Sequence, residues 1–261
     1  MRKLIIQLFS TSKILSKIAR NLGRKLTYLG NNASYDFASN GELANLNRSL
    51  PKVPLVIDVG ANNGEWATEL LKIRPNAKCV LVEPNPELCE KLQVTFADNP
   101  NVTVINGALS DSEGRAMLNI PMGKDSHSSL ENIQVGRDGL EYNAVDISVT
   151  TGDKLREDLL NVYIDFIKID VEGHELSVSK GFHNAIKGQK IGMIQFEYSE
   201  INLEKKLYLK DFYDFLQGWE LGRIYPGYID IQAYQMRLEN FVPGNFIAIP
   251  SNKTPTSNSK L

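Results

Sequence analysis

One stretch restricts this chain more than any other: Val56-Ile57-Asp58-Val59-Gly60-Ala61-Asn62-Asn63-Gly64, followed about twenty residues later by Val80-Leu81-Val82 and Glu83. A short apolar run that breaks at glycine, passes into a helix-compatible segment and returns as a second apolar run is the pattern of a buried parallel strand, crossover helix and strand. Glycines in the first turn let backbone approach a ligand, and a carboxylate closing the second strand can accept both hydroxyl protons of a ribose. The pattern therefore describes a nucleoside pocket, and an adenosine-containing cofactor is expected there. The plainer reading of Asp58 and Gly60, a cap and a tight turn, loses weight once Glu83 stands at the next strand end.

The same alternation continues along the chain. Strands are expected at Leu55–Val59, Lys78–Val82 and Val102–Asn106, with helices at Glu65–Ile73 and Pro86–Ala97, completing one half of a doubly wound α/β sheet. Between Arg115 and Ile147 the rhythm changes to a hairpin or loop excursion with short strands at Ala116–Ile120 and Val145–Thr150. Regularity returns with strands at Asp165–Val171, Ile191–Tyr198, Trp219–Ile224 and Phe246–Ile249, and helices at His174–Gly181 and Leu207–Gln217. Three segments result: residues 1–50 as a basic helix and polar connector, 51–250 as the main domain, and 251–261 as a polar tail.

The choice of cofactor follows from what the turn lacks. A dinucleotide site wants G-x-G-x-x-G, whereas Asn62 and Glu65 stand at the second and third glycine positions, so a nicotinamide oxidoreductase fits poorly. No P-loop follows any strand. S-adenosylmethionine has no phosphate to cradle; it needs a close turn, an acceptor for the ribose diol and a partner for its ammonium, offered by Gly60, Glu83 and Asp58 at the strand tip. The net charge of −2 gives no basic surface for nucleic acid. Cys79 and Cys89 suggest neither a disulfide framework nor a zinc site, which points to a reducing, cytoplasmic setting.

Five runs taken together carry a family resemblance: Ile57 to Gly64, Val82-Glu83-Pro84-Asn85-Pro86, Asn106-Gly107-Ala108-Leu109-Ser110-Asp111, Ser128-Ser129-Leu130, and Ile167-Lys168-Ile169-Asp170-Val171-Glu172-Gly173-His174-Glu175. They resemble the FkbM methyltransferases, and the last run is the most specific of them. The resemblance covers roughly Val53 to Ile249. It implies a Rossmann-like, mostly parallel sheet of seven strands with one antiparallel and helices on both faces, S-adenosylmethionine as methyl donor, and an oxygen acceptor on a sugar, glycan or secondary metabolite. It also implies that Asp58, Gly60, Glu83 and the Ala108-Leu109 segment line the cofactor, with Asn62, Gly64, Pro84 and Asp170 in the same turns.

An aliphatic hydroxyl gives up its proton reluctantly, so a base or a metal ion is expected beside the acceptor. Asp170 and Glu197 close adjacent strands, and His174 and Glu175 follow just beyond; ligands bind at such carboxyl ends. Asp170, His174 and Glu197, with Glu172 beside them, form either a base with its orienter or an oxygen-rich site for a divalent cation held by Asp170 and Glu197. The favoured expectation is His174 as base, supported by Asp170, with Glu197 holding the acceptor or the cation. Plainer readings are a helix-start histidine bonded to backbone, and glutamates that favour a helix dipole. The segment His127-Ser128-Ser129-Leu130 is a candidate lid, and Tyr225, Tyr228 and Tyr234 a candidate aromatic wall for a sugar.

The leader is distinctive as well. No acidic residue precedes Asp36, while Leu4, Leu8, Leu15, Ile18, Leu22 and Leu26 form a stripe among basic residues. Basic residues interrupt it too early for a transmembrane span. Two expectations stand: a terminal helix packed on its own domain or a partner subunit, or peripheral contact of residues 1–26 with the inner face of an anionic membrane. A competing function is thus a non-catalytic cofactor-fold protein recruited through that helix.

Overall fold

The computed structural model describes residues 10–34, 36–37, 39–121 and 142–253. The candidate lid, His127 to Leu130, lies outside them. The strands are β1 (Leu55–Val59), β2 (Lys78–Glu83), β3 (Val102–Asn106), β4 (Ala108–Ser110), β5 (Gly114–Pro121), β6 (Tyr142–Thr151), β7 (Ile164–Ile169), β8 (Ile191–Tyr198), β9 (Trp219–Ile224), β10 (Ile229–Ile231) and β11 (Gly244–Pro250). The main sheet has the order β10-β9-β11-β8-β7-β1-β2-β3. Strands β3, β2, β1, β7 and β8 run parallel.

Alternation along these strands feeds two cores, one on each face. Ile57 and Val59 join Ile167, Ile169, Val178 and Phe212 on one side. Val56 joins Phe166, Trp66 and Leu70 on the other. The helices Glu175–Gly181 and Leu209–Phe215 cover the first face, and Glu42–Ser49 and Glu65–Ile73 the second, so both faces are clad as expected for a doubly wound sheet.

The expected count of seven strands with one reversed is corrected to eight with two reversed. Strand β11 is antiparallel to β8 and β9, and β10 folds back antiparallel on β9. The extra edge strand is only Ile229–Ile231, closed by a turn in which the Tyr225 N–H bonds the Tyr228 carbonyl at 2.9 Å. Three residues carry too little periodicity to announce a strand.

The excursion after β3 is a second sheet of order β4-β6-β5, with its own small core of Ala108, Leu118 and Ile147. Its hairpin pairs Gly114 with Val149 through Pro121 with Tyr142. Strand β4 follows β3 after a single residue, Gly107, and so carries Ala108 to Ser110 away from the edge of the main sheet.

The polar connector contains a helix, Glu42–Ser49, that the sequence pattern does not mark. Leu46 enters the core, and Glu42 is buried, accepting hydrogen bonds from Asn40 Nδ2 (2.6 Å), Asn245 Nδ2 (2.8 Å) and Gln195 Nε2 (2.5 Å). Before it, helix Lys13–Gly30 starts at Ser12, whose side chain accepts from the Leu15 N–H. No residue of this helix is buried, which does not match the expectation that it packs on its own domain. Among the described residues no helix is long and apolar enough to cross a membrane.

Candidate active site

The turn after β1 is held by β2. The Gly60 and Ala61 N–H groups both bond the Val82 carbonyl, at 3.0 and 3.2 Å, and the Asn62 N–H donates to Glu83 Oε2 at 2.7 Å. Gly60 has φ +82°, and a Cβ there would lie 1.9 Å from the Asp170 carbonyl oxygen. The missing side chain therefore lets the β1 turn pass against the end of β7. Asn62 is also left-handed, and Gly64 begins helix Glu65–Ile73 where a side chain would strike Leu92.

Glu83 stands where expected, at the end of β2. Its Oε1 accepts from the Asn85 N–H at 2.8 Å and its Oε2 from Asn62, which leaves each oxygen with acceptor capacity for one ribose hydroxyl. Burial pushes its carboxyl up to about 7 against those two backbone donors. Glu83→Ala is expected to weaken S-adenosylhomocysteine binding by about a hundredfold, the loss of two hydrogen bonds to a carboxylate, as measured by calorimetry.

Asp58 is corrected in position. It is the penultimate residue of β1, fully buried beneath the turn rather than standing at its tip. It lies beside Lys168 in the strand register, and Lys168 Nζ approaches Asp58 Oδ1 at 3.5 Å, a charge contact longer than a hydrogen bond. Neither Asp58 oxygen has a hydrogen-bond partner. Burial raises its proton affinity and Lys168 opposes that rise.

Lys168 is the residue that the sequence reading missed. Its signal was present: a lysine between Ile167 and Ile169, on the inward face that Phe166 shares. Nζ bonds Asp170 Oδ2 at 3.0 Å and lies 5.7 Å from the Trp66 ring centre. Burial acts to strip its proton, but Asp170 and Asp58 outweigh it and hold the ammonium charged.

Asp170 and Glu197 meet because Ile169 and Phe196 are register partners at the ends of β7 and β8. Burial first, then the neighbouring Asp170, Glu172 and Glu175, push the Glu197 carboxyl well above its usual range, and it hydrogen-bonds Asp170. Glu197 therefore holds its proton more tightly than an ordinary carboxyl does, with Asp170 beside it. This arrangement does not support the expected divalent cation: Lys168 supplies the positive charge on the Asp170 side. Among the described residues, no group of three His, Cys, Asp or Glu side chains is placed to hold a metal ion.

Glu172 has φ +55° and Gly173 φ +98°, forming a tight turn after β7. Buried Glu175 clamps it, with Oε1 accepting from the Val171 (3.2 Å) and Gly173 (3.0 Å) N–H groups, a structural role more specific than a dipole contact. His174 caps helix Glu175–Gly181, and its Nε2 lies 2.9 Å from Ser110 Oγ on β4. The helix comes that close because Gly181 has no side chain; a Cβ there would sit 2.1 Å from the Ser110 carbonyl oxygen. Ser110 is thus a partner of His174 that the sequence pattern does not announce, and Lys168 and Glu197 are partners of Asp170. Ala108 and Leu109 are buried on β4 directly before Ser110, and Pro84 leads from β2 into helix Pro86–Thr95. The tyrosine wall divides: Tyr225 stacks on Tyr228 at 4.7 Å, and Tyr234 packs edgewise on Tyr213.

Burial raises Glu175, like Glu83, from 4.5 to about 7. A carboxyl that holds its proton more tightly in the fold than in the unfolded chain favours the fold below about pH 4.5 and withdraws that support as pH rises to about 7, roughly 3 kcal/mol per group at most. Urea titrations of the ligand-free protein should therefore show stability falling across that window, and Glu175→Gln should flatten the fall. Equal slopes would remove Glu175 from it.

Residues 58–239 match the family described as "Methyltransferase FkbM domain". A 2-O-methyltransferase, NoeI, of Sinorhizobium fredii is 29% identical over 185 residues, covering 66% of this chain and 75% of that protein. The methyltransferase sdnD of Sordaria araneosa is 30% identical over 162 residues, covering 51% and 62%. Among solved structures, a precorrin-6y C5,15-methyltransferase from Geobacter metallireducens is 12% identical at a TM-score of 0.43, covering 79% of this chain and 86% of that one; this distant likeness bears on neither substrate nor mechanism. With the turn, Glu83 and the Asp170 to Glu175 run in place, the chain belongs to the FkbM methyltransferase family and is an S-adenosylmethionine-dependent methyltransferase.

Proposed function

We propose that the enzyme methylates a hydroxyl oxygen of a sugar, glycan or secondary-metabolite acceptor. The observation that supports this most is the gathering of proton-handling groups, His174 with Ser110 and Asp170 with Glu197, at the carboxyl edge that also carries Gly60 and Glu83. Oxygen acceptors need such groups, because the nucleophile must lose a proton as its new bond to carbon forms. The name of the NoeI relative, a 2-O-methyltransferase, agrees with this reading.

When bound, S-adenosylmethionine supplies an electrophilic methyl group on a cationic sulfur. The chain's residues do the rest. Glu83 holds the ribose hydroxyls, and the Gly60 to Asn62 turn fixes the nucleoside against β2. Asp58, buried beneath the turn, acts on the donor's ammonium end through its charge rather than by contact. His174 receives the acceptor's hydroxyl proton, its ring set by Ser110 Oγ at Nε2. Glu197, paired with Asp170 at the ends of β7 and β8, holds the acceptor. Proximity and alignment supply much of the acceleration.

Incubation with methyl-labelled donor and a panel of hydroxylated glycans and small molecules, with the methylated atom located by NMR, tests the reading. Label on a hydroxyl oxygen is expected. Label on nitrogen or carbon would overturn it, and donor binding without transfer to any acceptor would return the non-catalytic alternative.

A further inference from the structure

We infer that helix Lys13–Gly30 docks the enzyme on an anionic phospholipid bilayer. Ile14, Ile18, Leu22, Leu26 and Leu29 lie on one side of it and are 55–77% exposed, so the structure contains an apolar stripe with no residue of its helix buried. Lys13, Lys17, Arg20 and Arg24 lie across the helix from that stripe, and no acidic residue occurs before Asp36. Charge in this protein is sharply divided: of the formal net −2, the first 35 residues carry +7 and the remainder −9. A basic, apolar-striped helix on an acidic body is drawn to a negative surface by that end alone.

The foot of the helix is tied to the domain. Tyr225 Oη donates to the Gly30 carbonyl at 3.1 Å, Asn240 Nδ2 to Asn31 Oδ1 at 2.9 Å, and Asn32 Nδ2 to the Ile224 carbonyl at 3.0 Å. Ile224 ends β9, which runs in the same direction as β8, so the helix is rooted at the carboxyl edge that carries the site. Tyr228, 57% exposed and stacked on Tyr225, places an aromatic side chain of the type favoured at bilayer interfaces beside that root.

A bilayer suits the stripe better than a second copy of the helix. Lys25 falls within the apolar side, and the helix has no acidic residue to pair with it, so helix pairing would enclose an uncompensated charge. On a bilayer the lysine stem lies along the apolar surface and its ammonium reaches the headgroup phosphates.

Co-sedimentation of the full chain with phosphatidylcholine vesicles, with and without phosphatidylglycerol, tests the inference. Recovery on anionic vesicles is expected to be at least about tenfold higher, to fall with added salt, and to be lost in Leu22→Glu/Leu26→Glu and, separately, in Lys17→Glu/Arg20→Glu/Arg24→Glu. S-adenosylhomocysteine affinity should stay at the wild-type value in both variants, showing them folded. Equal recovery on the two vesicle types, or variants that bind like the parent, would overturn the inference. So would a dimer in sedimentation velocity that Leu22→Glu/Leu26→Glu converts to monomer without any vesicle binding; the stripe would then belong to a second copy.

Discussion

Gly60→Ala is expected to cost about 3 kcal/mol or more of stability and to abolish methyl-donor binding. An added Cβ would lie 1.9 Å from the Asp170 carbonyl oxygen, and the backbone at +82° is one that alanine adopts only under strain. Neither side can yield cheaply. The turn is pinned to β2 through two bonds to Val82, and Asp170 is pinned to β1, its N–H bonding the Val59 carbonyl at 3.0 Å. These are central strands of the sheet, so a shift there propagates into Asn62, Glu83 and the Asp170–Glu197 pair together. Gly227→Ala is the control, since nothing lies within 4 Å of the added atom and it should be nearly neutral. Thermal unfolding and donor calorimetry measure both variants. A Gly60→Ala protein with the parent's melting temperature and affinity would contradict the packing described for the turn.

His174→Ala is expected to lower turnover about 10²- to 10⁴-fold while leaving donor affinity unchanged. The histidine starts helix Glu175–Gly181, whereas Glu83, the proposed ribose acceptor, ends β2, so its loss should touch chemistry rather than cofactor binding. Ser110→Ala should produce a smaller loss together with a changed pH–rate profile, because it frees the ring without removing it. Steady-state kinetics with an identified acceptor separates the two. Unchanged turnover in His174→Ala would transfer the proton-accepting role to the Asp170–Glu197 pair.

The parallel half of the sheet was readable because β1, β2 and β7 are buried on both faces and appear as nearly unbroken apolar runs. Carboxylates that end such runs were readable for the same reason: Glu83, Asp170 and Glu197 interrupt strands that otherwise exclude charge. Their partners were not. Ser110 and His174 are 64 residues apart and meet only because helix Glu175–Gly181 packs on β4, a strand of three residues with little periodicity of its own. The burial of Asp58 was hidden as well, since its place beneath the turn depends on Lys168 across the strand register, and a pairing between strands leaves no mark in either strand alone. Strand β10 escaped notice because three residues after a turn look like any loop.

We propose that the β1 turn and Glu83 hold the nucleoside of the methyl donor. A crystal structure of the complex with S-adenosylhomocysteine tests it most directly. Both ribose hydroxyls are expected within hydrogen-bond distance of the Glu83 carboxylate, with the Gly60 to Asn62 backbone against the ligand; a nucleoside bound away from Glu83 would contradict this assignment.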